Sequence, residues 1–361
     1  MKNNILTLGT SRRSFLKTVA VGSLAAPFIA NRAFGDDGMQ VLVTLPDASV
    51  EKLVLARVAP IMKEKYKVEL KTQQSSSSQV LSSMRVQRRR PTFIAATLDL
   101  SFADQALQED LIEPATVAKI PNLGNVIPKA LAADGKIVSF ILSADTLTFN
   151  TKIWPTAPAT YSEIFADDKV GFTALPSSGS NIGLEFLAAA SAASSGKSVA
   201  EAVNDLEAGI QYMARFRDRI KMIYSRSQEV MPLLANGDVG VCFNKTRFLT
   251  DWINRDAPLD CTVPSQGAFY SLNCLVPVKN SPAPELGHAY IDIMLSPEIQ
   301  ELWAAEIGSA PVNRLITPKV PEKLKRVVPS ASDIEKLVLL PQLSQAHIAD
   351  LTKMFNSEVA R

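Results

Sequence analysis

The chain has 361 residues, of which 47% are hydrophobic, 20% charged and 7% aromatic, with 3 Cys and a formal charge of +2. That composition excludes a disordered or collagen-like chain, and the length exceeds the ~250–300 residues at which single cores stop growing, so two lobes are expected. The charge is uneven: residues 1–35 hold Lys2, Arg12, Arg13, Lys17 and Arg32 with no Asp or Glu, and the remainder carries 33 basic against 36 acidic residues, so bulk-charge binding of nucleic acid is not expected.

Those first residues read as an address. Ser11-Arg12-Arg13-Ser14-Phe15-Leu16-Lys17 is a twin-arginine motif, and the apolar run Val19–Ala30 behind it is short and broken by Gly22 and Pro27. It cannot span ~30 Å of hydrocarbon as a helix, and no other stretch approaches the ~18 apolar residues a span needs. Small residues at Ala33 and Gly35 suit signal cleavage near Gly35. A protein soluble in the periplasm, or held near the membrane by a partner, is the expectation.

Met39–Leu45 reads as a strand, followed by helical spacing of Val50, Leu53, Val54, Val58, Ile61 and Met62 with a kink expected at Pro60. Strands are predicted at Tyr66–Leu70 and Phe93–Leu100, with a helix opened by Ser75–Ser78 between them and another over Ala103–Leu111. The β-α-β-α-β-α order predicts a parallel sheet with its ligand beyond the strands' carboxyl ends. After the long apolar run Ile137–Asn150 the plan repeats. Strands are predicted at Val170–Leu175, Ile220–Tyr224 and Val239–Phe243, with helices after Ser178–Asn181, over Val199–Arg217 and from about Gln228 to Leu234. Phe269–Pro277 carries the chain back, and helices over Leu286–Leu295 and from Ser296 to Ile307 follow. The fold class is α/β: a two-lobe clamshell, each lobe a mixed sheet flanked by helices, the lobes joined by two strand crossings. The expected division is a signal over 1–35, one lobe from 36–147 plus 272–320, and the other from 148–271 plus 321–361.

Several segments carry a resemblance: Ala103-Asp104-Gln105-Ala106-Leu107 through Pro114, Leu147-Thr148-Phe149-Asn150, Tyr161-Ser162-Glu163-Ile164-Phe165, Asn236-Gly237-Asp238-Val239, and Ala289-Tyr290-Ile291 through Leu295-Ser296-Pro297-Glu298-Ile299-Gln300 to Asn313. In this order the chain resembles bacterial periplasmic substrate-binding proteins of ABC importers (extracellular solute-binding protein family 1), in the class that includes polyamine and ferric-iron binders. The resemblance implies a type II periplasmic-binding-protein fold, acting as a monomer, that closes about crossings at Leu147–Asn150 and Ser271–Leu275 on a small solute and delivers it to a membrane permease without catalysis.

Strand ends then nominate the ligand-binding residues: Asp47, Ser76, Asp99, Ser101, Asp145, Ser178, Ser180, Asn181, Arg226, Asn244, Arg247 and Tyr270. The Ser178-Gly179-Ser180-Asn181 loop offers helix N–H groups to an anion or is an ordinary cap; Arg226 and Arg247 could clamp an acid group, with Lys245 beside them. Polyamine binders surround their ligand with acids, yet Leu272 stands where the resemblance implies one; ferric binders use adjacent tyrosines, which this sequence lacks. An anionic or zwitterionic organic solute is expected, with a polyamine or other cation as the alternative because of Asp47, Asp99 and Asp145. A secreted enzyme or a sensory subunit on the same scaffold is the rival of another class. No metal or cofactor site is expected, since Cys242, Cys261 and Cys274 lack CxxC spacing and His288 and His347 lie apart from them. No Gly-x-Ser-x-Gly elbow surrounds a serine either. Cys261 and Cys274 could form a disulfide or remain buried thiols.

Overall fold

Short apolar runs alternating with amphipathic ones give the expected opening order in the computed structural model, which describes residues 39–360. The twin-arginine motif and the cleavage expected near Gly35 lie outside the described residues. Strand β1 (Met39–Leu45) leads to α1 (Ala48–Leu53), capped by the Asp47 carboxylate, and α2 (Ala59–Tyr66) follows. The expected kink at Pro60 is replaced by a π-helical stretch, Val54–Val58, in which the Ala59 N–H reaches back to the Val54 carbonyl. A proline lacks its own N–H and its ring crowds the carbonyl four residues back, so widening the preceding turn lets the helix continue. Strand β2 (Val68–Gln74) starts later than predicted because Tyr66 ends α2 and Lys67 takes φ 57°. Then come α3 (Ser77–Val86), opened by a Ser76–Gln79 capping box, β3 (Phe93–Asp99) and α4 (Leu100–Gln108).

A two-residue strand β4 (Leu131–Ala132) precedes the 14-residue β5 (Ile137–Asn150), every residue of which is buried. The second series runs β6 (Thr173–Pro176), α5 (Asn181–Ser195), α6 (Val199–Ala202), α7 (Leu206–Ala214), β7 (Met222–Tyr224), α8 (Ser227–Asn236), β8 (Val241–Lys245), α9 (Thr250–Asn254), β9 (Leu259–Thr262) and β10 (Phe269–Pro277). The single helix expected over Val199–Arg217 is two, because Asp205 recaps the chain by accepting from the Ala208 N–H. At Gly209 an added Cβ would stand 2.0 Å from the Leu187 carbonyl oxygen, so α7 and α5 pack backbone against backbone along the buried alanines of α5. The chain ends with α10 (Pro284–Met294), α11 (Pro297–Leu302), α12 (Ala331–Lys336) and α13 (Gln345–Glu358). Among the described residues no helix is long and apolar enough to cross a membrane.

The strands form one ten-stranded mixed sheet in the order β2-β1-β3-β10-β5-β8-β6-β7, with β4 and β9 also pairing β5. Its outer portions are parallel and its centre antiparallel. Strand β5 changes partners at Asp145, which pairs with Phe269 of β10 on one flank and Lys245 of β8 on the other. Before that point β5 lies among one apolar cluster, built from residues between Val41 and Ala144 and again from Ala268 onward; after it, β5 enters a second, built around α5, α7 and α13. A third, smaller cluster joins α8, β8 and α9 to Leu324 and Val327. The three cysteines are buried in free form, and burial pushes the Cys242 thiol up to about 12.

Candidate functional site

Four of the nominated residues meet at one cavity of about 740 Å³: Asp47, Ser76, Arg226 and Arg247. Its wall is made on one side by the turn from β1 into α1 with the end of β2, and on the other by the start of α8 and the turn from β8 into α9; Glu306 and Ile307 complete it. Most of the lining comes from the turns where strands β1 and β8 end and from the first turns of α1, α8 and α9.

Arg247 and Asp47 dominate the cavity electrostatically. The guanidinium Nη2 stands 2.9 Å from Asp47 Oδ2, with side chains only 5% and 13% exposed. Asp47 Oδ1 accepts from the Ser49 and Val50 N–H groups at 3.1 Å each. Burial works to raise the Asp47 carboxyl, but the Arg247 charge and these N–H groups outweigh it and hold the carboxyl below its usual value. Arg247 also lies 4.3 Å from the Phe248 ring centre, and its buried Nε has no hydrogen-bond partner. Ser49 Oγ donates to Asp251 at 3.4 Å, so with the Asp47–Arg247 pair polar contacts bridge the walls at two places, and Thr250 Oγ1 donates to the Ile307 carbonyl at 3.3 Å. Arg226 is different. It is 79% exposed and lies 2.8 Å from Glu229 on its own helix.

The other nominated residues do not line this cavity. Asp99 accepts from Ser77 Oγ at 3.0 Å and from Asn273 Nδ2 at 2.9 Å, and Ser101 is half-buried in the first turn of α4. Asn244 is buried, donating to the Ser227 carbonyl at 3.1 Å. The Tyr270 ring is covered, with the Lys129 ammonium 5.6 Å from its centre. In the loop before α5, Ser180 Oγ accepts from the Gly183 N–H at 3.3 Å as a helix cap, Asn181 is exposed, and Ser178 is buried with an unpartnered hydroxyl.

Asp145 belongs to a second polar group, set into the sheet where β5 changes partners. Lys245 Nζ donates to Ser271 Oγ at 2.6 Å, Ser271 donates to Asp145 Oδ1 at 3.1 Å, and the ammonium stands 3.5 Å from Asp145 Oδ2. Glu185 of α5 faces the same carboxylate. Burial first, and then the Asp145 charge, raise the Glu185 carboxyl well above the usual carboxylate range. Sequence reasoning missed Glu185, although a lone acid inside the apolar run Ile182–Ala193 was a usable signal. It also passed over Glu229 and Asp251, which occupy helices rather than strand ends. Among the described residues no group of three or more His, Cys, Asp or Glu side chains is arranged to hold a metal ion.

A family model described as bacterial extracellular solute-binding protein matches residues 56–324. No curated protein matches the sequence closely enough to be counted a relative. Three solved structures are similar in fold. An ABC transporter substrate-binding protein from Bradyrhizobium japonicum has a TM-score of 0.75 at 15% identity, covering 88% of this chain and 98% of its own. A spermidine/putrescine ABC transporter substrate-binding protein from Streptococcus pneumoniae has a TM-score of 0.74 at 15% identity with the same coverages. A periplasmic binding protein from A. tumefaciens R10 in complex with agropinic acid has a TM-score of 0.67 at 15% identity, covering 89% and 96%.

Proposed function

This chain belongs to the bacterial extracellular solute-binding protein family, and from that premise we propose that it is the solute-capturing component of an ABC importer, taking a small zwitterionic organic solute into the Asp47–Arg247 cavity and delivering it to a membrane permease. The reading includes export by the twin-arginine route with the signal removed near Gly35, action as a monomer, and two lobes (36–147 with 272–320, and 148–271 with 321–361) that close on the solute about β5 and β10. No catalytic step enters it.

The observation that carries the solute class is the charge inventory of the cavity. Asp47, Glu229, Asp251 and Glu306 line it against Arg226 and Arg247 alone. Both arginines already face carboxylates, so a plain anion meets an acidic lining, whereas an ammonium group is welcome. The buried, unpartnered Nε of Arg247 meanwhile suits an acid group. Similar folds serve a spermidine/putrescine transporter and hold agropinic acid, so the lining rather than the fold carries the choice.

A thermal-shift panel of amino acids and other zwitterions, polyamines, carboxylates and phosphonates tests the reading. A solute at ~100 times its Kd stabilises by about 2.7 kcal/mol. Shifts are expected from zwitterions; shifts from polyamines alone, or from dicarboxylates alone, would overturn the assignment.

A further inference from the structure

Asp47 differs from the other acids of the cavity in how its two oxygens are used. Oδ1 caps α1, while Oδ2 stands against the Arg247 guanidinium across the cavity, 200 residues away in sequence. Glu229 is occupied by the exposed Arg226, Glu306 by Arg57, and Asp251 by Ser49. Among the described residues Asp47 is the carboxylate recorded in an ion pair with Arg247. That pair is enclosed, so it is screened little by salt and neither charge is well hydrated.

We propose that Asp47 is the specificity-determining residue of this cavity, an internal carboxylate that occupies Arg247 until the acid group of a solute replaces it. The proposal deepens the solute reading above and rests on it for the cavity's role. A plain anion that displaced Asp47 would leave a buried carboxylate beside a second negative charge with no counter-ion. A zwitterion exchanges charges evenly: its acid group takes the guanidinium and its ammonium takes the carboxylate set free. Asp47 thereby rejects anions that Arg247 alone would accept, a selectivity obtained by an opposing charge.

Asp47→Asn isolates this effect, because an asparagine Oδ1 can accept the same two N–H groups and caps a helix as well as aspartate does. Succinate is the probe, measured by calorimetric titration on native and variant protein. Asp47→Asn is expected to bind succinate at least about tenfold more tightly than the native chain, the scale of a charge-assisted bond made available. Asp47→Glu keeps the charge and is expected to bind succinate no better than native. A native melting curve for Asp47→Asn with succinate affinity within about twofold of native would overturn the proposal. Equal gains in both variants would overturn it too, since charge would then not be the cause; if Asp47→Asn does not fold, failure of Asp47→Glu to exclude succinate does the same. The outcome is independent of the amino-acid panel: a panel showing no zwitterion shift defeats the solute reading, while the succinate comparison still decides whether Asp47 guards Arg247.

Discussion

The cavity and the sheet junction each hold an acid against a base, and they use the pair in opposite ways. At the cavity, Asp47 and Arg247 come from separate turns, lie next to open volume and leave a donor unpartnered. At the junction, Asp145 and Lys245 lie on neighbouring strands, tied together through Ser271 on a third and shadowed by Glu185, whose carboxyl is raised by burial and the Asp145 charge. A pair at a wall can exchange partners, whereas a pair inside a sheet holds strands in place. Burial alone does not separate them; whether a new partner can reach the charges does.

The junction should therefore be costly to break. Asp145→Ala leaves the Lys245 ammonium without its carboxylate, and a loss of about 3–5 kcal/mol in urea unfolding is expected; a loss below about 1 kcal/mol would place Asp145 with the exchangeable charges. Glu185→Gln comes next and is pH-dependent. A carboxyl whose folded value is raised holds its proton where the unfolded chain has released it, so native stability is full below the unfolded value of ~4.3 and falls as pH rises toward the raised one. The glutamine variant lacks that loss. Its advantage over the native protein should grow by about 1.4 kcal/mol per pH unit across that interval, read from melts at several pH values, and a pH-independent difference would mean Glu185 is ionised.

At the cavity the expected effects move from stability to binding. Arg247→Ala should weaken the solute that shifts the native protein by about 1.5–3 kcal/mol in titration calorimetry, with unchanged affinity removing Arg247 from the site. The pair itself should be acid-sensitive. Because the Asp47 carboxyl is held low, its contribution is complete above the ordinary value of ~3.9 and disappears as pH falls through the lowered one, and Asp47→Asn should flatten that arm of the stability profile. Arg226→Ala should do least: exposed and paired within its own helix, it is expected to leave the urea midpoint unchanged and solute affinity within about threefold.

Much of the scaffold was legible beforehand because its signals are local. Apolar spacing marked the helix over Val50–Met62, the serine stretches Ser75–Ser78 and Ser178–Asn181 marked helix starts whose caps are Ser76 and Ser180, and Ser296 was marked as a cap. The misread elements failed for equally local reasons that compete with periodicity, the π-helical turn ahead of Pro60 and the Asp205 recap among them. Of the strand-end residues, alternation told which were polar but not which faced each other. Asp47 and Arg247 met at the cavity, while Asp99, Asn244 and Ser180 turned to neighbouring strands and helix ends for their hydrogen bonds.

What the sequence determined by itself was the order of the longer strands and helices, though not the short β4, α9, β9 and α12, and the family segments that match in that order, since propensity, capping and apolar period act over a few residues. The tertiary structure alone decided which charges became partners. Coulomb attraction and desolvation depend on separation and enclosure, and these exist only once β5 and β10 have brought distant turns together: Asp47 against Arg247 beside open space, Asp145 against Lys245 inside the sheet.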